Sequence, residues 1–145
     1  MQEVEFTSDV VLNLMKGLSD FSAAKLDRAY KDNDDDFIEA KNIEARLNAS
    51  FVRVASLPAA SIKDTIFSRQ PVFFSLIIVL DDVSNHVTAK NLNAALLEMD
   101  RRFNSDKPIS ERPKQDALFY EACRASTQRI ASRQVRHRYI KRFLS

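Results

Sequence analysis

Apolar residues recur at three- and four-residue steps along most of the chain, the spacing of one face of an α-helix. Val10, Val11, Leu14, Met15 and Leu18 form the first such stripe, with Ser8 or Asp9 placed to accept hydrogen bonds from the first free backbone amides. Gly17 and Ser19-Asp20 interrupt it. Ala23, Leu26, Ala29 and Tyr30 then predict a second short helix that stops in the polar run Lys31 to Asp36. Asp34 to Asp36 open a third helix, where carboxylates complement the positive end of the helix dipole, and Ala40, Ile43, Leu47, Phe51, Val54 and Ala55 carry its apolar face towards Pro58.

Residues 58–70 show little periodicity and are expected to form a loop with a short helical turn. Pro71 heads the run Val72 to Leu80, nine residues interrupted only by Ser75. Its β-branched and aromatic content would also suit a buried strand. A single strand would find no partner in this chain, however, and proline is tolerated in a first helical turn, so the expectation is a helix buried on all sides. Thr88 precedes Leu92, Ala95, Leu96, Met99 and Phe103, another amphipathic helix. Asn104 to Pro113 is polar, contains two prolines and reads as an exposed connector. From Gln115 onward the pattern is helical to the end, with a bend near Thr127. The expected core brings Leu47, Phe51, Leu92, Leu96 and Met99 against the 72–80 segment.

Composition narrows the class. A chain of 145 residues fits one domain, and a single glycine, Gly17, cannot supply the glycines of a dinucleotide fingerprint or a phosphate-cradling loop. The same scarcity removes the glycine turns that close tight hairpins. The fold expected is all-α, a single-domain bundle of five to six helices over residues 1–145, with a basic helix at about 115–145. Cys123 is the only cysteine, so no intramolecular disulfide forms, a reducing cytosol is favoured, and helical spacing places the thiol in the core. With only His86 and His137 as imidazoles, a Cys/His zinc site cannot be assembled, and no cofactor is expected. The N-terminal stretch is acidic where a secretion signal needs basic residues, and the longest apolar run is too short to span a bilayer, so a cytoplasmic protein without a membrane partner is expected.

Charge is distributed unevenly. Residues 1–121 hold 15 basic and 20 acidic side chains, whereas residues 122–145 hold seven basic and no acidic ones. Six of those seven are arginines, whose guanidinium makes forked contacts to carboxylates and phosphates. On a helical wheel Ala131, Val135, Tyr139 and Phe143 form an apolar stripe, and Arg129, Arg133, Arg136 and His137 a basic stripe on the far side, with Ile140 falling inside the basic one. Arg138, Lys141 and Arg142 complete the candidate binding set. Three readings are open: a solvated face, or one packed on the acidic run Asp32 to Asp36; a contact with nucleic acid; and docking on an acidic protein partner. If the stripe contacts phosphate, replacing Arg133 and Arg136 by alanine should weaken binding while the fold survives. A charge at Ile140 should disrupt a protein interface instead.

No catalytic residue is predicted. Asp36 with Glu39-Ala40-Lys41 resembles a nuclease carboxylate set only in composition, since such chemistry requires residues converging from strands. Asp32, Asp34 and Asp36 imitate the opening of a calcium loop, but Phe37 stands where the turn needs glycine and Ile43 where the loop needs glutamate. A serine paired with His86 or His137 lacks any glycine-flanked nucleophile turn.

Several segments resemble the C-terminal helical half of the GmrSD-like, modification-dependent restriction enzymes. Val10 to Leu18 followed by Leu26-Asp27-Arg28-Ala29-Tyr30-Lys31 is similar to that family's helix, glycine and leucine-x-x-tyrosine-lysine continuation. Phe67 to Leu76 resembles its arginine, aromatic, serine, leucine stretch, and Ala122, Thr127, Arg133, Arg136 and Ile140 its arginine-rich ending. The family's chemistry is associated with an N-terminal ParB-like lobe carrying an aspartate-glycine-glutamine-glutamine-arginine motif, which this sequence lacks. The resemblance therefore implies a helical module without catalysis, in a restriction, defence or DNA-processing system. It implies DNA, an N-terminal ParB-like lobe or another protein subunit as partner. The alternative is a stand-alone helical DNA-binding regulator.

Overall fold

The apolar run from Val72 to Leu80 is helical, and its surroundings explain its composition. It forms α5 (Gln70–Asp82), with Pro71 in the first turn, where the missing N–H sacrifices no intrahelical bond. Val72 and every residue from Phe74 to Leu80 are buried, because α1 (Glu3–Lys16), α3 (Ala40–Ala55) and α8 (Ile130–Leu144) all pack against this helix. Two apolar clusters meet on it. Val72, Leu76, Val79 and Leu80 join Leu92, Leu96, Met99, Phe103, Phe119 and Ile140 on one side, and Phe74, Ile77 and Ile78 join Val10, Leu14 and Ile43 on the other. A helix serving two cores has no face left for polar residues.

The computed structural model describes residues 3–32, 40–83 and 87–145. Those residues form an all-α domain with no strand among them. The other elements are α2 (Ala23–Asp32), the single turn α4 (Ala60–Lys63), α6 (Ala89–Phe103) and α7 (Lys114–Ala122), with 3-10 turns at Ile66–Ser68 and Ile109–Glu111. Local chemistry sets several of the boundaries. Ser22 Oγ accepts from Lys25 N at 3.3 Å ahead of α2, and Thr88 Oγ1 accepts from Asn91 N at 3.1 Å ahead of α6. Gly17 follows α1 in the left-handed region, at φ +87°, the conformation that lets the chain leave a helix end.

Several expectations are corrected. α1 runs from Glu3, so Ser8 and Asp9 lie inside the helix rather than at its N-terminus, and Asp9 is buried. On α3, Ile43 and Ser50 are buried and Leu47 is half-buried, while Phe51 is 39% exposed. The helix leans on α5 through Ile43, Leu47 and Val54, and this rotation turns Phe51 to the rim, where its ring meets Phe73 at 6.3 Å. The acidic opening Asp34 to Asp36 and residues 37–39 lie outside the described residues, as does His86. The predicted bend near Thr127 is a complete break over residues 123–129, with Ser126 at φ +49°, so the basic C-terminal segment is two helices rather than one. That break and the turn α4 raise the number of helices among the described residues to eight.

Leu96 is fully buried whereas Phe51 is not, so the two should respond differently to truncation. Leu96→Ala should cost about 2–5 kcal/mol in urea unfolding, and Phe51→Ala less than about 1 kcal/mol. Equal losses would contradict the orientation of α3.

Candidate functional site

The arginine-rich helix α8 is anchored at its start by the chain that links α1 to α2. Asp20 Oδ1 accepts from Ile130 N, a capping contact supplied from far away in sequence, and Phe21 N donates to Gln128 O at 2.9 Å. From there α8 runs against α5, α6 and α7. Its buried line is Arg133, Arg136, Tyr139, Ile140 and Leu144. Two residues assigned to an outward basic stripe are therefore among the most enclosed in the molecule, Arg133 at 2% and Arg136 at 0% exposure.

Each buried guanidinium has a defined set of partners. Arg133 reaches Asp9 of α1 through Nη2 to Oδ2 at 2.5 Å and Nη1 to Oδ1 at 3.2 Å, and Nη1 also donates to Ser19 O at 2.8 Å. Its plane lies over the Phe74 ring, 4.0 Å from the centroid. Asn13 Nδ2 donates to the same Asp9 Oδ1 at 3.0 Å. Arg133 Nε has no hydrogen-bond partner among the described residues. Arg136 has no carboxylate partner among the described residues and binds neutral oxygens: Nε donates to Ser75 Oγ at 2.8 Å, Nη1 to Ala122 O at 2.6 Å and Nη2 to Thr127 O at 2.7 Å. Burial pushes its pKa down to about 10, which still leaves it charged at neutral pH. The positive charge meets the carbonyl end of α7, where the helix dipole is negative.

Hydropathy alone turns arginine towards water. Ile140, three and four residues along from His137 and Arg136, marked the true inner line, and Leu144 continues it. Ser75 in the apolar run and the Asp9/Asn13 pair one turn apart on α1 are the matching signals, because a buried arginine requires acceptors. Ala131 of the supposed apolar stripe is exposed, while Tyr139 is buried, stacked on Phe119 at 4.0 Å and donating to Asp116 Oδ1 at 2.9 Å. Burial and that bond push the Tyr139 hydroxyl well above its ordinary range. Ile140 is wholly enclosed, so a charge there would disrupt the core and could not report on an interface.

The remaining predicted residues lie outward. His137 Nε2 and Lys141 Nζ converge on Asp82 Oδ2 at 3.0 and 2.8 Å, and these hydrogen bonds, Lys141 foremost, hold the Asp82 carboxyl below the usual carboxylate range. Arg129, Arg138 and Arg142 are exposed and form no ion pair among the described residues. Arg138, Lys141 and Arg142, at i, i+3 and i+4, share one face near the end of α8, a helix with no carboxylate of its own. The accessible basic surface of α8 is thus this group together with Arg129 at the other end.

Candidate chemistry elsewhere is sparse. No group of three or more His, Cys, Asp or Glu side chains able to hold a metal occurs among the described residues. Asp36 and Glu39 lie outside them. Cys123 is buried, and desolvation pushes its thiol up to about 12, the inert condition of a core cysteine.

Because Arg136 satisfies three oxygens, Arg136→Ala should cost more than about 2 kcal/mol, whereas Arg138→Ala should stay within about 0.5 kcal/mol of wild type. Thermal unfolding of the two variants checks this, and a benign Arg136→Ala would contradict the interior role. Comparison of the chain with known family models, with curated proteins and with solved structures finds no match in any of the three.

Proposed function

We propose that the chain is a non-catalytic helical module of a restriction, defence or DNA-processing system that contacts DNA through the exposed part of α8. The observation that carries this reading is the C-terminal part of α8, where Arg138, Lys141 and Arg142 present basic groups to solvent on a helix free of carboxylates. Among the described residues only Lys141 of the three is engaged, through Asp82. Guanidinium forks suit phosphate oxygens, and a cluster of exposed cations on one element is the electrostatic footprint of a phosphate contact. Arg133 and Arg136 leave the binding set, since both guanidiniums are buried and bonded to oxygens of the protein's interior.

The resemblance to the helical half of GmrSD-like enzymes supports the assignment to a module rather than a regulator, and the absence of the ParB-like motif from this sequence supports the lack of catalysis. A cytosolic setting agrees with the single buried thiol and with the fact that no helix among the described residues is long and apolar enough to cross a membrane.

The test is a salt titration of duplex DNA binding. With Arg129, Arg138, Lys141 and Arg142 in contact, log K should fall against log salt with a slope of roughly −3 to −4, at about −0.9 per neutralised phosphate. Arg138→Ala combined with Arg142→Ala should flatten that slope by about two units without unfolding the protein. Weak, salt-independent binding would transfer the α8 surface to a protein partner such as a ParB-like lobe. Turnover of DNA or nucleotide with magnesium would overturn the non-catalytic reading.

A further inference from the structure

A second group of arginines, away from the end of α8, is built on aromatic rings. Phe103 at the end of α6 and Tyr120 of α7 lie 4.8 Å apart, and three guanidiniums cover them. Arg69 stands 4.9 Å from the Phe103 centroid, while Arg112 and Arg124 stand 4.7 and 4.8 Å from that of Tyr120. The three come from separate segments: the residue preceding α5, the connector between α6 and α7, and the break that follows α7.

Their hydrogen bonds divide the labour. Arg112 is locked, with Nε donating to Lys107 O at 3.0 Å, Nη1 to Phe103 O at 3.0 Å and Nη2 to Ser105 O at 2.7 Å. Arg124 makes one side-chain bond, to Tyr120 Oη at 2.9 Å, and the Arg69 side chain makes none among the described residues. Both Arg69 and Arg124 are exposed. None of the three forms an ion pair among the described residues, although Glu111 and Glu121 stand close by in sequence. The neighbouring arginines of α6 behave differently: Arg101 and Arg102 both close on Glu98, and Arg102 also meets Asp116.

Two cations on one ring repel each other, and no carboxylate among the described residues bridges them. An external anion relieves that repulsion. Each ring shields one face of its guanidinium from water, so the N–H edges of Arg69 and Arg124 are the donors left to solvent, in the planar array that matches phosphate oxygens. The charges are spread over two rings rather than converging on a point, which suits successive phosphates of a chain better than one phosphate group. We propose that Arg69 and Arg124, seated on Phe103 and Tyr120 with Arg112 as a fixed third charge, form a phosphate-binding patch for a nucleic-acid backbone, separate from the end of α8.

The patch is tested with a short DNA duplex and its single strand as probes, titrated with salt, and thermal unfolding is used to establish that each variant is folded. Arg69→Ala with Arg124→Ala should flatten the log–log slope by about two units on the standard scaling. Arg69→Lys with Arg124→Lys, which preserves charge, should leave the slope near wild type. A folded alanine pair with unchanged slope and affinity overturns the patch, making the ring stack a purely structural tie between α7 and the connector. If Arg138→Ala with Arg142→Ala flattens the slope and the Arg69 and Arg124 pair does not, the α8 surface stands and the patch falls. The opposite pattern removes the α8 surface and retains the patch, and no binding of either probe at low salt removes both.

Discussion

A single buried ion pair ties the first helix of this protein to the last. Asp9 and Arg133 are each 2% exposed and 124 residues apart, and every other placement around them follows from keeping that carboxylate and guanidinium together. An apolar cluster tolerates several rotations of a helix, because one aliphatic contact replaces another at little cost. A buried charge tolerates only arrangements that supply its partner, since leaving it alone costs far more than the pair contributes. Asn13, the carbonyl of Ser19 and the face of Phe74 complete the setting. The pair therefore defines the rotation of α1 and α8 against α5 more than it adds net stability.

Arg136 extends the same logic one turn later. Its charge replaces a missing apolar layer by joining Ser75 of α5 to the end of α7 and to the break before α8. Both sides of α5 thus meet a polar residue of α8, and the break between α7 and α8 is held by the helix that it introduces. This arrangement changes the meaning of the charge asymmetry. Two of the seven basic residues after Glu121 serve the interior, and the accessible remainder divides among Arg129 at the start of α8, the group Arg138, Lys141 and Arg142 near its end, and Arg124 in the ring stack.

The helices that bury a uniform or strongly periodic surface were legible from sequence. Leu92, Leu96 and Met99 line the core as expected, and the 72–80 run is the central helix because the absence of any plausible partner strand decided against its β-branched content. Ile43, Leu47 and Val54 of the expected stripe on α3 do pack inward, but Phe51 does not, because periodicity defines a stripe only to within about one residue of rotation and tertiary packing against α5 turns this ring to the rim. Arg133 and Arg136 were misplaced for a different reason: hydropathy assigns arginine outward, and the acceptors that bring it inward lie on α1 and α5. The Arg69, Arg112 and Arg124 cluster left no sequence signal at all, since the stack exists only once four segments have met.

The direct test of the ion pair as the organising contact is a double-mutant cycle between Asp9→Asn and Arg133→Met, followed by urea unfolding. The two single changes should each be strongly destabilising, by about 3–5 kcal/mol, while the double variant should recover much of that loss, giving a coupling of about 2 kcal/mol or more. Additive effects within about 0.5 kcal/mol would show that the two residues do not depend on each other, and would contradict the account.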